Sequence, residues 1–188
     1  MHPMLGNSKK IKFKDTYRIS SIRLKHWDYS ENGYYFLTIC TKNKECFFGT
    51  IENNAVQLSE IGRIVQDYWM KIPEYFPFTA LDTFIVMPNH IHGIVIINND
   101  PTRKDAIHRV SETGGITKQN NPMFYESISR IVRWYKGRCA FEINRVQKKI
   151  KFAWQPRFYD HIIRDDESLE KISQYIIDNP ARWNHGDF

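Results

Sequence analysis

Two histidines separated by one residue, in Pro88-Asn89-His90-Ile91-His92-Gly93, form the sharpest chemical signal in the chain. In an extended segment alternate side chains share a face, so His90 and His92 project together while Ile91 turns the other way into a core. Two imidazoles so placed make half of a metal site. Two polar residues on a half-exposed strand would satisfy the same pattern. The rest of the segment, Ile94-Val95-Ile96-Ile97, is apolar, however, so the two histidines need a reason. A third ligand and a nucleophile must come from elsewhere. With ten tyrosines, no single one stands out, and helical geometry has to choose. Tyr135 falls inside the apolar stripe Ile128, Ile131, Val132, Tyr135, Cys139, Ile143 and Val146, which favours a core role. Tyr175 lies off the centre of the stripe Leu169, Ile172 and Ile176 and shares a face with Asn179, four residues on. A phenol and a carboxamide one turn apart can meet a metal-bound phosphate together. The blander alternative is a boundary aromatic followed by a helix C-terminal residue.

These residues need elements to hold them. Tyr34 to Cys40 is rich in aromatic and β-branched residues and reads as a strand after the Asn32-Gly33 turn. Cys46 to Ile51 and Ala55 to Leu58 flank Glu52-Asn53-Asn54 as a hairpin. Ser59 caps a helix to about Lys71, with Ile61, Ile64, Val65 and Tyr68 at helical spacing and Pro73 as its stop. Thr83 to Met87 and His90 to Ile97 are strands broken at Pro88-Asn89. A second helix runs from about Met123 to Val146, a basic aromatic connector from Lys148 to Pro156, and a last strand from Phe158 to Arg164. Asp165 or Asp166 caps a final helix that ends near Asn179, because Pro180 disfavours helix at the residue before it. The order β, β-hairpin, α, β, β, α, β, α predicts an α+β fold, a ferredoxin-like antiparallel sheet with packed helices.

At 188 residues and 22.5 kDa the chain is sized for one domain. We expect a basic arm over residues 1–30 and a single catalytic domain over 31–188, with a polar loop at 98–121. Hydrophobic content of 41% and charged content of 26% exclude wholesale disorder. Three cysteines without a C-x-x-C pair exclude a disulfide framework and a cysteine zinc knuckle. No apolar run reaches a membrane span, and no signal-peptide core opens the chain, so a cytoplasmic protein is expected. The formal charge is +6, and it is concentrated. Residues 1–30 and 130–157 are strongly basic, which points to a polyanion partner, most plausibly nucleic acid; a merely solvated basic face is the alternative.

The whole set resembles the single-tyrosine HUH transposases, which carry a His-hydrophobic-His strand, a tyrosine on a late helix and a carboxamide four residues later. With Asn in that last place, the resemblance is to the branch of REP-associated tyrosine transposases. Further segments carry it: Ser21-Ile22-Arg23-Leu24-Lys25 with Asp28-Tyr29, Val86-Met87-Pro88-Asn89-His90, Trp154-Gln155 with Tyr159-Asp160-His161-Ile162-Ile163-Arg164, and Tyr175-Ile176-Ile177-Asp178-Asn179-Pro180. It spans about residues 20–184. The resemblance implies the HUH endonuclease fold and metal-dependent cleavage and rejoining of single-stranded DNA near hairpins of palindromic repeats. Mg²⁺ or Mn²⁺ would be held by His90, His92 and Asn179, and Tyr175 would attack phosphorus to give a 5′-phosphotyrosine. Tyr159 is the reserve nucleophile.

On this reading Arg23, Lys25, Arg130, Arg133, Arg138 and Arg157 contact DNA phosphates. Trp134 stacks on unpaired bases; Trp154 either does the same or packs in the core. The expected partner is single-stranded or hairpin DNA, with the protein a monomer or a homodimer and no membrane involved. Loop residues Arg103, Lys104 and Arg109 are expected to reach the substrate. Two rivals remain. A two-histidine phosphoesterase would need a second His-x-Thr/Ser motif, and none is present. A non-catalytic DNA- or RNA-hairpin-binding module would share the basic segments but have no use for Tyr175 beside a histidine pair.

Overall fold

The computed structural model describes residues 31–98, 127–149 and 151–183, and the backbone of two short strands, β1 (Lys12–Phe13) and β2 (Thr16–Tyr17), which pair antiparallel. The rest of the basic arm, including Arg23 and Lys25, lies outside the described residues. So do the polar loop beyond Asn98, with Arg103, Lys104 and Arg109, and residues 123–126 of the expected helix start.

Four strands make the central sheet. β3 (Gly33–Cys40), β6 (Thr79–Met87), β7 (His90–Ile97) and β8 (Tyr159–Ile163) lie in the order β6-β7-β3-β8, every neighbouring pair antiparallel. Between them run α1 (Glu60–Met70), the short α2 (Ile72–Tyr75) and α3 (Ile128–Val146). Sheet strands and long helices thus alternate as β-α-β-β-α-β, the ferredoxin-like arrangement expected from the sequence. A hairpin of β4 (Gly49–Glu52) and β5 (Ala55–Leu58) follows the first sheet strand, and α4 (Asp166–Asp178) is appended at the end.

The local chemistry explains the element limits. The hairpin closes on two residues, Asn53 and Asn54, at φ 52° and 60°. Asparagine tolerates this left-handed region, and such turns match the twist of paired strands. The Ser59 hydroxyl accepts from the Gly62 N–H at 3.0 Å and starts α1; Asp165, not Asp166, caps α4 through the Ser168 N–H at 2.7 Å. Pro73 does not stop α1. The helix ends at Met70, and Pro73 sits in the first turn of α2, where its missing N–H is not needed.

The two sheet faces are different. Tyr35, Leu37 and Ile39 of β3 and Ile91, Val95 and Ile97 of β7 point to one side, where α1 and α3 close over them with Ile61, Val65, Trp69, Ile131, Tyr135 and Cys139. Gly93 permits this closure: a Cβ there would collide with the Trp69 ring, so glycine lets α1 lie flat on the sheet. Tyr135 is fully buried, and its hydroxyl donates to the Val65 carbonyl at 2.9 Å. Val146, at the end of α3, is exposed rather than part of the buried stripe. On the other face lie Phe36, Ile94 and Ile163, covered by Ile176 of α4 with Leu169, Ile172 and Tyr175 packed around them.

Candidate active site

By the same alternation, His90 and His92 share the α4 face with Ile94. Their rings are 4.5 Å apart, and both side chains are buried. Burial opposes charging an imidazole, which lowers His92 to about 4. His90 is lowered to about 3, by burial first and then by His92 and Lys44. Both rings are therefore neutral at pH 7.

Each ring is also oriented through Nδ1. His90 Nδ1 lies 2.6 Å from Asn89 Oδ1, an oxygen that can only accept, so the proton is on Nδ1 and the lone pair on Nε2. Asn89 is itself fixed, its Nδ2 donating to the Lys44 carbonyl at 3.2 Å. That carbonyl belongs to a turn in which Asn43 and Lys44 adopt φ 55° and 58°. His92 Nδ1 is 2.9 Å from Thr38 Oγ1 on the neighbouring strand, where Thr38 and His92 are register partners. Phe36 stacks on the His92 ring at 5.4 Å.

The C-terminal end of α4 reaches this pair. The Tyr175 hydroxyl lies 3.4 Å from His92 Nε2, a long contact, and its ring is edge-on to Phe36. Asn179 is buried where α4 tightens into a 3-10 turn, Asn179–Arg182. Trp183, directly after that turn, has its ring 5.9 Å from His90. Among the described residues no three His, Cys, Asp or Glu side chains cluster as a metal site. The two imidazoles are the groups here that could hold a cation. Neutral imidazoles held at Nδ1 by side-chain partners, His90 with its lone pair on Nε2, have the chemistry of metal ligands held by outer partners.

Other residues proposed for DNA contact are distributed differently. Arg130, Arg133, Trp134, Gly137 and Arg138 line an open groove of about 400 Å³ on the outside of α3. Because α3 covers the opposite sheet face, this groove and the histidine pair lie on opposite sides of the sheet. Trp134 is half-buried against Tyr75 (4.4 Å) and Phe76 (5.5 Å), so only part of its ring can meet a ligand. Arg130 and Arg138 stand over Phe76 and Tyr75.

The base-stacking alternative for Trp154 is overturned. The ring is buried against Phe48, Phe152 and Tyr135, and its Nε1 donates to the Lys136 carbonyl. A tryptophan in a basic segment looks like a base platform until the segment's path is known, and here the connector runs back across the core as a bridge to Thr41. Arg157 is exposed two residues before Tyr159, whose register partner is Thr38, and so stands at the histidine end of the sheet. Thr38, Asn89 and Phe36 escaped the sequence reading. Asn89 stood next to a candidate ligand and was visible in principle, whereas Thr38 and Phe36 reach His92 only through strand pairing.

Comparison with known proteins agrees with the fold. No family model matches the chain. An uncharacterised Haemophilus influenzae protein is 39% identical over 163 residues, 87% of this chain and 88% of the relative. A REP-associated tyrosine transposase of Haemophilus influenzae is 24% identical over 161 residues, 85% of this chain and 75% of its own length. A solved REP-associated tyrosine transposase bound to a REP hairpin shares the fold, with a TM-score of 0.58 at 20% identity over 89% of this chain and 75% of that one. The chain is thus related in sequence to a REP-associated tyrosine transposase and shares the fold of another. This relatedness supports a transposase-type function. Among the described residues, no helix is long and apolar enough to cross a membrane.

Proposed function

We propose that this protein is a single-strand DNA endonuclease and strand transferase that cleaves beside hairpins through a 5′-phosphotyrosine at Tyr175. The observation that carries the reading is the Tyr175 hydroxyl at 3.4 Å from His92 Nε2, beside the small apolar cluster of that sheet face. His90, His92 and Asn179 would hold Mg²⁺ or Mn²⁺, which when bound supplies Lewis-acid polarisation and orientation of the scissile phosphate.

The chain's own residues do the rest. Asn89 keeps His90 in the Nδ1-protonated form, Thr38 holds the His92 ring through Nδ1, and Phe36 limits the tilt of that ring. α4 presents the Tyr175 oxygen beside the pair. Attack forms the Tyr175 Oη–P bond and breaks the P–O3′ bond, with a net proton passing from the phenol to the departing 3′ oxygen. The phosphodiester energy is kept in the covalent link, so a 3′-hydroxyl can reverse the step and join a strand. The groove of Arg130, Arg133 and Arg138 engages the phosphates of the hairpin stem on the far side of the sheet.

The test is direct. The protein is incubated with Mg²⁺ and a library of DNA hairpins carrying randomised single-stranded flanks, then run on a denaturing gel. A protein–DNA adduct is expected, absent with EDTA and absent for Tyr175→Phe. An adduct that survives in Tyr175→Phe would move the nucleophile, Tyr159 being next in line. No adduct from any hairpin would leave a non-catalytic hairpin-binding protein as the reading.

A further inference from the structure

Among the described residues, α4 lies chiefly over β6 and β7 and leaves much of the β3–β8 half of the histidine face open beyond Phe36 and Ile163. On that half the strand alternation that places Phe36 and Ile163 on this side also places Tyr34, Tyr159 and His161 there. All three are exposed, Tyr34 at 38% and Tyr159 at 47%. Tyr159 is the register partner of Thr38, which holds His92, and its ring is 6.3 Å from Phe36. His161 is paired with Phe36, and Tyr34 with Ile163. Tyr159 and His161 thus stand two residues apart on β8, roughly 7 Å, and Tyr34 continues the row away from the histidine pair diagonally across on β3, roughly 7–8 Å further. Arg157 and Arg164, both exposed, stand at the two ends of β8.

We propose that Tyr159, His161 and Tyr34 form a stacking track for the unpaired bases next to the scissile phosphate. The inference rests on the nuclease reading above and names the part of the substrate that this face takes. Aromatic rings on an open sheet face, roughly 7 Å apart along and across neighbouring strands, suit a strand whose bases are free to splay. A duplex keeps its base faces hidden and cannot use them. Arg157 and Arg164 supply positive charge where the backbone of such a strand enters and leaves, in a chain whose net charge is +6. Tyr159 thereby gains a positioning role in place of the reserve nucleophile role.

Binding is measured with EDTA present, so that no cleavage is needed. The probes are a fluorescein-labelled 12-nucleotide single strand of mixed sequence and a blunt duplex of the same length. Tyr159→Ala and Tyr34→Ala should each weaken single-strand binding about five-fold or more and leave duplex binding unchanged, while Tyr159→Phe and Tyr34→Phe should bind like the parent. A double alanine variant that binds the single strand within two-fold of the parent, or that loses duplex binding equally, would overturn the proposal. Crosslinking the unaltered protein to bromodeoxyuridine-substituted single strand gives an independent reading. Adducts on peptides holding Tyr34 or Tyr159 support the track, and adducts confined to other peptides refute it. Adduct formation with Mg²⁺ separates the two claims. A protein that shows the stacking effect but never forms a covalent adduct sinks the nuclease reading alone. A double alanine variant that binds and forms adducts like the parent sinks the track alone.

Discussion

The two faces of the central sheet are built from the same four strands and do opposite work. On the α1–α3 face, Tyr35, Leu37, Ile39, Ile91 and Val95 meet an unbroken apolar layer, and the hydroxyls of the buried tyrosines Tyr35 and Tyr135 are each spent on a backbone carbonyl, of Glu31 and Val65. On the α4 face the apolar cluster is small, and next to it stand two neutral histidines, a threonine and a tyrosine whose hydroxyl reaches one of the imidazoles. Burial is nearly as complete for the histidines as for the core, yet each of their Nδ1 atoms has a partner. A domain of this size can rest its stability on one face and leave the other shallow enough to admit a ligand.

The sharpest way to break this contrast is to remove one hydroxyl from each face. Tyr175→Phe should lower covalent adduct formation by more than about a thousandfold with thermal stability unchanged, because the attacking oxygen is gone. Tyr135→Phe should leave adduct formation intact and lose about 1 kcal/mol of stability, the usual net value of one hydrogen bond. Adduct yields and melting curves on both variants decide it; a reversed pattern would exchange the roles of the faces.

Packing should weigh heavily on the closed face. Trp69→Ala removes the ring that lies against Gly93 and meets Tyr135 edge-on, and should cost about 3–5 kcal/mol in urea unfolding. A loss below about 1 kcal/mol would mean that α1 is not anchored there.

Acid should act through the open face. The unfolded chain binds protons at histidine near pH 6.5, whereas folded His90 and His92 resist until about 3 and 4. The unfolded state therefore takes up protons first, and stability of the metal-free protein is fully present above about pH 6.5 and falls as pH drops toward 4. Between pH 7 and 5 the loss should be as much as about 2 kcal/mol for each histidine. His92→Gln should flatten the curve. A stability profile that stays level over this range in the parent would contradict neutral, buried imidazoles.

Finer effects follow. Thr38→Val keeps the shape of the strand but removes the group that holds His92 Nδ1, so Mn²⁺ affinity by calorimetry should fall about 10–100-fold with folding preserved. On the far side, Arg133→Gln with Arg138→Gln should reduce the slope of log affinity against log salt by about 0.7–0.9 for each phosphate no longer neutralised. Adduct formation on a short single strand without a stem should not change. An unaltered slope would make the α3 groove a solvated surface.

Much of the fold was legible in the residue pattern, and the reasons are local. The alternation of β3 and β7, the Asn53-Asn54 turn, the Ser59 cap and the stripe of α3 are each written within a few residues, and the His-Ile-His segment is a two-residue period on one strand. That period alone determined that His90 and His92 share a face. Helical spacing likewise separated Tyr135, in its stripe, from Tyr175, beside one.

What residue spacing left open were contacts that cross strands or layers. Trp154 sits in a segment of lysines and arginines, yet the connector's path brings it into the core. Arg130, Arg133 and Arg138 are close in sequence to one another but stand across the sheet from the histidines, because α3 packs on the face that α4 does not. The pairing of Thr38 with His92, 54 residues apart, depends on the register of β3 against β7. Side-chain period fixes which way a residue points along one strand; only the pairing of distant strands and the choice of face for each helix decide what it meets there.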